Sequence, residues 1–279
     1  MESNTRHSVI TPEEVSCMFI IGIYKAKDTF IVTIQKVIIH VVHPLGRRYI
    51  VDNMWLNRKR LNAQFYTDPL LAKTESLEGN TGAWIYTTGN FTVVYSCTNS
   101  SELGYNLQYF AGDIGIPYIL RSYLVPEITG KHTEFQARLK RLRIYLTHSE
   151  VERSNNNHAT GGDIGRLKKR FWQNMVSKKF PKNLWDYGLV HQDGILSCIS
   201  RGKTVWTGIE KVTGKTPEIS EWIDFEFYDR IWWLYNKHPL TTDDNIILGK
   251  WLGISHKIGS VICYWVLNVS GRFVAWNIL

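Results

Sequence analysis

The chain has 279 residues, with 33 Lys+Arg against 25 Asp+Glu and a net charge of +8; 44% of it is hydrophobic and 13% aromatic. That length supports one large or two modest domains with a sizeable core, and the aromatic content excludes a disordered chain. No apolar run reaches the roughly 18 residues of a membrane helix, and Met1–Ile10 lacks the layout of a signal peptide, so a nuclear or cytoplasmic protein with no membrane partner is expected.

Thr11-Pro12-Glu13-Glu14 reads as an N-cap, a proline at the first helical position and acids facing the helix dipole. The helix should run to about Ile20 and break near Gly22, with a second short helix around Tyr24–Phe30. His43–Arg48 reads as a linker or turn. His40 and His43 form a His-x-x-His with no cysteine pair to complete a metal site, and Cys17, Cys97, Cys198 and Cys263 are too scattered for a zinc or redox pair.

From Ala63 the pattern turns to strands. Gln64–Leu71 reads as one, ending near Asp68 or just beyond, and Ala83–Thr87 with Phe91–Tyr95 form a hairpin around Gly89-Asn90. Asn99-Ser100-Ser101-Glu102 resembles a capping box, opening a helix with Leu103, Leu107 and Phe110 on one face that stops at Gly115 and Pro117. Ile119–Leu124 is a strand, Thr133–Leu142 a helix, Arg143–Leu146 a strand and Asn155–Asn157 a loop. A long helix starts near Thr160, with Ile164, Leu167, Phe171 and Met175 on one side and Arg166, Lys169 and Arg170 opposite. After Pro181 the chain becomes Trp-rich, with strands at Trp251–Ser255, Val261–Leu267 and Arg272–Trp276 and a turn at Asn268–Gly271. Its aromatics suit either core packing or base stacking. Three segments result: an N-terminal helical and linker segment (1–62), a core (63–180) and a Trp-rich, partly β segment (181–279).

The charge is uneven. Residues 121–182 hold 14 basic and 5 acidic side chains, while 1–120 and 183–279 are close to neutral. Such a stretch is either a footprint for a polyanion or a solvated helical face.

The core order β-β-β-α-β-α-β-α is α/β, and is also the order of the ribonuclease-H-like fold. Ordered motifs sharpen this. They are Phe65-Tyr66-Thr67-Asp68, Leu77-Glu78-Gly79-Asn80-Thr81, Asp113-Ile114-Gly115-Ile116-Pro117, Glu127-Ile128-Thr129-Gly130, Asn157-His158-Ala159 and Pro181–Leu189. Further on come Thr213–Ser220, Trp222-Ile223-Asp224-Phe225 and Leu248–Gly253. Together, over roughly residues 8–279, they resemble the integrase region of copia-type LTR retrotransposon polyproteins. No counterpart of that family's histidine–cysteine module, reverse transcriptase or protease is present in the sequence, which reads as a stand-alone open reading frame.

The resemblance implies a ribonuclease-H-like integrase core, a mixed sheet flanked by helices, between a small N-terminal helical segment and a β-rich C-terminal one. It implies DNA integration by phosphoryl transfer, with three carboxylates holding two Mg²⁺ or Mn²⁺ ions. The first carboxylate position matches Asp68; the second, four residues before a Glu matching Glu127, is Tyr123; the third, opening the long helix, is Gly161. Tyr and Gly supply no carboxylate, and Asp163 lies about 200° around the helix from position 161. Asp113 reads as a helix-end or turn residue. The resemblance therefore implies a degenerate site with a vestigial metal ligand at Asp68, no productive metal binding, and an inactive copy. The alternative is a retained nucleic-acid-binding or adaptor module. DNA is the expected partner of the basic 121–182 region, through Lys140, Arg141, Arg143, Arg166, Lys168, Lys169 and Arg170, with a homo-oligomer implied by the family. Trp172 and Trp206 stand as exposed-looking aromatics in basic surroundings, a feature that also fits a decayed fold.

Overall fold

The computed structural model describes residues 10–33, 59–130, 133–148, 158–200, 206–214, 216–234, 246–255 and 263–277. The His40/His43 pair, the 43–48 turn and the Asn155–Asn157 loop lie outside them. The chain forms two compact units, one within 50–217 and one combining the N-terminal helices with residues 218–279. The first thus runs past residue 180.

The 50–217 unit is a five-stranded sheet with helices on both faces. In chain order it contains β1 (Arg60–Leu71), β2 (Gly82–Thr87), β3 (Thr92–Cys97), a further strand β4 (Ile116–Ser122) and β5 (Tyr145–His148), in the spatial order β3-β2-β1-β4-β5. β1 to β3 form an antiparallel meander, and β4 and β5 run parallel to β1. Three hairpin-linked strands followed by parallel additions at the β1 edge are the ribonuclease-H-like arrangement.

Side chains alternate across a strand, and the two faces of this sheet differ. Leu61 and Phe65 of β1, Trp84 and Tyr86 of β2, Tyr95 and Cys97 of β3 and Leu120 of β4 meet the helix Leu103–Asp113 and the helix Glu134–Leu142 in one core. Tyr86 stacks on Phe110 at 4.6 Å, and Phe65 meets the same ring edge-on at 4.9 Å. The other face takes the long helix His158–Lys178 and the helix Trp185–Cys198, the latter donating from Ser197 Oγ to the Thr92 carbonyl at 3.0 Å. With the N-terminal Pro12–Met18 and Ile23–Ile31 as α1 and α2, these are α3 (103–113), the one-turn α4 (Pro126–Thr129), α5 (134–142), α6 (158–178) and α7 (185–198), followed by α8 (Gly208–Thr213).

The caps show how much local sequence dictates. Thr11 accepts from the Glu14 N–H and the Glu14 carboxylate accepts from the Thr11 N–H at 2.8 Å, the expected N-terminus of α1. At Asn99 the expected capping box does not form. The chain makes a 3-10 turn over Ser100–Glu102, and the Glu102 side chain accepts from the Thr98 N–H. Arg143 is not in a strand. It closes α5 in the left-handed conformation at φ 52°, and β5 starts two residues later. Gly115 sits at φ 137° between α3 and β4, where a Cβ would lie 2.6 Å from the Lys59 carbonyl oxygen, so only glycine fits this turn.

In the second unit, β6 (Arg230–Leu234), β7 (Ile246–Ser255), β8 (Cys263–Asn268) and β9 (Phe273–Asn277) form an antiparallel sheet in sequence order. Trp222, Phe227, Trp233, Trp251 and Tyr264 are buried, so most of the Trp-rich segment serves as core rather than as a stacking surface. Phe225, Trp251 and Tyr264 pack as a ring cluster with centroids about 6 Å apart.

Candidate active site

Because Phe65 and Thr67 turn toward α3 and α5, the pleat turns Asp68 to the α6 face. Across β1 the parallel ladder to β4 ends at the pair Thr67–Ser122. Tyr123 is the next residue after β4, as Asp68 is the next along β1. Its carbonyl oxygen accepts from the Val125 N–H at 3.0 Å, turning the chain out of the sheet. Asp68 thus lies one residue past the end of the parallel ladder, while β1 continues to Leu71 against β2.

The third position lies in the first turns of α6. Gly161 faces open space: a Cβ there would meet nothing within 4 Å. Seven residues make nearly two full turns, so Gly161 shares its face with Lys168, whose charge acts on Asp68. Asp163 is on another face and already engaged. It is buried, its Oδ2 lies 2.8 Å from the Thr87 hydroxyl, and its Oδ1 accepts from the Arg166 guanidinium. Arg166 also donates to the Gly89 carbonyl at 3.4 Å. This cluster fastens the start of α6 to the β2–β3 hairpin and leaves Asp163 no role at position 161.

Burial lifts the Asp68 carboxyl from its ordinary 3.8 to about 6, against the lowering pull of Lys168. Arg121, which pairs with Tyr66 in the ladder, is on the same sheet face, and its Nε is buried without a hydrogen-bond partner among the described residues. Sequence reasoning missed this cation. Its only signal was a basic residue inside a β-rich run. Ser122 points the other way, its hydroxyl 3.5 Å from Nδ1 of His148. The three positions of the resemblance thus carry one carboxylate, a phenol and no side chain, with Lys168 and Arg121 on the Asp68 face. That donor set does not fit a pair of hard divalent ions, which need converging anionic oxygens. Among the described residues no group of three or more His, Cys, Asp or Glu side chains is placed to hold a metal.

The neighbouring acids have structural roles. Asp113 ends α3 and accepts from the Tyr95 hydroxyl at 3.0 Å. Glu127 lies in the first turn of α4. The seven expected cations do not form one stripe. Lys140, Arg141 and Arg143 are exposed at the end of α5 on one side of the sheet; Arg166, Lys168 and Lys169 are exposed on α6 on the other, with Arg170 half-buried. Only the α6 group shares a face with Asp68.

No family model matches the sequence, and no curated protein matches it either. Solved structures similar to it include the catalytic core domain of BIV integrase, at 13% identity and a TM-score of 0.42 over 53% of this chain and 91% of that one. Another is the simian T-cell lymphotropic virus intasome in complex with PP2A regulatory subunit B56 gamma, at 12% identity and a TM-score of 0.46 over 77% of this chain and 76% of that one. The strand order and register define the fold.

Proposed function

We propose that the 50–217 unit is an integrase-like nucleic-acid-binding module of copia-type retrotransposon descent that does not itself catalyse strand transfer. The observation that supports this is the β1–β4 register, whose last pair, Thr67–Ser122, immediately precedes Asp68 and Tyr123, the position where the family resemblance requires a second carboxylate. The ordered motifs supply the descent, and the ribonuclease-H-like strand order supplies the scaffold. The unit holds 22 Lys+Arg against 14 Asp+Glu, the whole excess charge of the chain, which supports a polyanionic partner.

Phosphoryl transfer on this scaffold depends on metal charge at the attacking and leaving oxygens, and each ion is worth several kcal/mol in the transition state. Without the carboxylates the rate falls by many orders of magnitude. The test compares the unaltered chain with the Tyr123→Asp/Gly161→Glu double variant, which the open space at position 161 accommodates. The unaltered chain is expected to be inert toward end-joining of a short duplex with Mn²⁺, while the double variant takes up Mn²⁺ in calorimetry and gains measurable joining. Equal joining by both proteins would refute the proposal.

A further inference from the structure

We infer that the outward face of α6 binds single-stranded nucleic acid, with Trp172 as a stacking platform and Lys168 and Lys169 as phosphate contacts. This rests on the nucleic-acid reading above and deepens it by naming the form of strand. At 100° per residue, Lys168, Lys169, Trp172 and Val176 fall within about 100° of one another. Both lysines are exposed, and Trp172 and Val176 are 56% and 71% exposed. The indole meets Phe171 edge-on, with centroids 6.1 Å apart, and more than half of the residue's surface is exposed.

The charge around it selects the occupant. No acidic side chain occurs between Asp163 and Asp186, and this interval holds Arg166, Lys168, Lys169, Arg170, Lys178, Lys179 and Lys182. A second copy of the chain would bring like charges together on this face. A polynucleotide matches both features, since its phosphates pair with the lysines and its bases offer π faces to the indole. In a duplex those faces are buried in the stack, and a single strand presents them. Toward the N-terminus the same face carries Gly165 and Gly161, where a Cβ would meet nothing within 4 Å. The strand therefore has a low, open course past Lys168, toward the end of the sheet that holds Asp68.

The test is fluorescence anisotropy on the full chain, with a labelled oligothymidine of about 20 nucleotides and a duplex of the same length. Trp172→Ala should weaken oligothymidine binding about tenfold, leave its salt slope unchanged and alter duplex binding less than about twofold; Trp172→Phe should restore most of the loss. Lys168→Ala/Lys169→Ala should flatten the single-strand salt slope by about 1.4. The site is refuted if Trp172→Ala binds the oligonucleotide normally, if it loses both forms equally, or if it converts a dimer to a monomer in sedimentation. Salt-steep binding that ignores Trp172 would sink the strip and spare the binding function. No salt-dependent binding at all would sink both.

Discussion

Asp68 is held in a surrounding that disfavours its charge. A carboxyl whose folded pKa stands above its unfolded value binds its proton more tightly in the native state, so stability is greatest below pH 4 and is lost as pH rises toward 6. The neutral Asp68→Asn variant is therefore expected to be more stable than the parent at pH 7.5 by about 1 to 2 kcal/mol, a figure reduced for solvent screening of a part-exposed group. The gain should disappear near pH 4, and urea unfolding at the two pH values checks it. A gain of equal size at both would mean that packing, not charge, sets the cost. The same residue shows what was legible in the sequence. Asp68 and Tyr123 are singled out by the family resemblance alone, since β1 runs on to Leu71 and β4 ends at Ser122. Arg121 and the Thr87–Asp163 contact form no local pattern: the ladder neighbour of Arg121 is Tyr66, and Thr87 and Asp163 are likewise tens of residues apart.

Elements with one apolar face were legible, and those buried all round were not. α3, α5 and α6 each showed a stripe at helical spacing. α7 did not, because Asp186, His191, Gln192, Asp193 and Ser197 are buried along with Leu189, Ile195 and Leu196, leaving no polar face to reveal the period. Burial pushes the His191 imidazole down to about 3, so this helix keeps a neutral histidine inside. Arg143 misled for a different reason: a left-handed cap filled by arginine rather than glycine carries no sequence mark. The attachment of α6 is a tertiary device, and it can be tested as one. Thr87→Val keeps the shape of the strand residue and removes the hydroxyl beside the buried Asp163 carboxylate. A loss of about 1 to 3 kcal/mol is expected. Hydrogen exchange should accelerate most in the first turns of α6, and an unchanged rate there would show that Arg166 alone suffices.

At the scale of the molecule, core and charge coincide. The cluster from Leu61 to Ile144, with Ile209 and Val212 packed against it, lies wholly within 50–217, and so does the entire charge excess. The sequence boundary at residue 180 came from a change in composition. The physical boundary is at Pro217 because α7 and α8 continue to pack on β3 and β1. A segment of this size with its own core is expected to fold alone. A fragment of residues 50–217 should melt in a single cooperative transition. It should also keep the salt slope of the full chain for nucleic acid, since counterion release depends on the cations at the contact and the other unit contributes no net charge. A fragment that melts cooperatively but binds with a markedly flatter slope would place essential phosphate contacts in the second unit, with Arg230, Lys250 and Arg272 the cations to examine there.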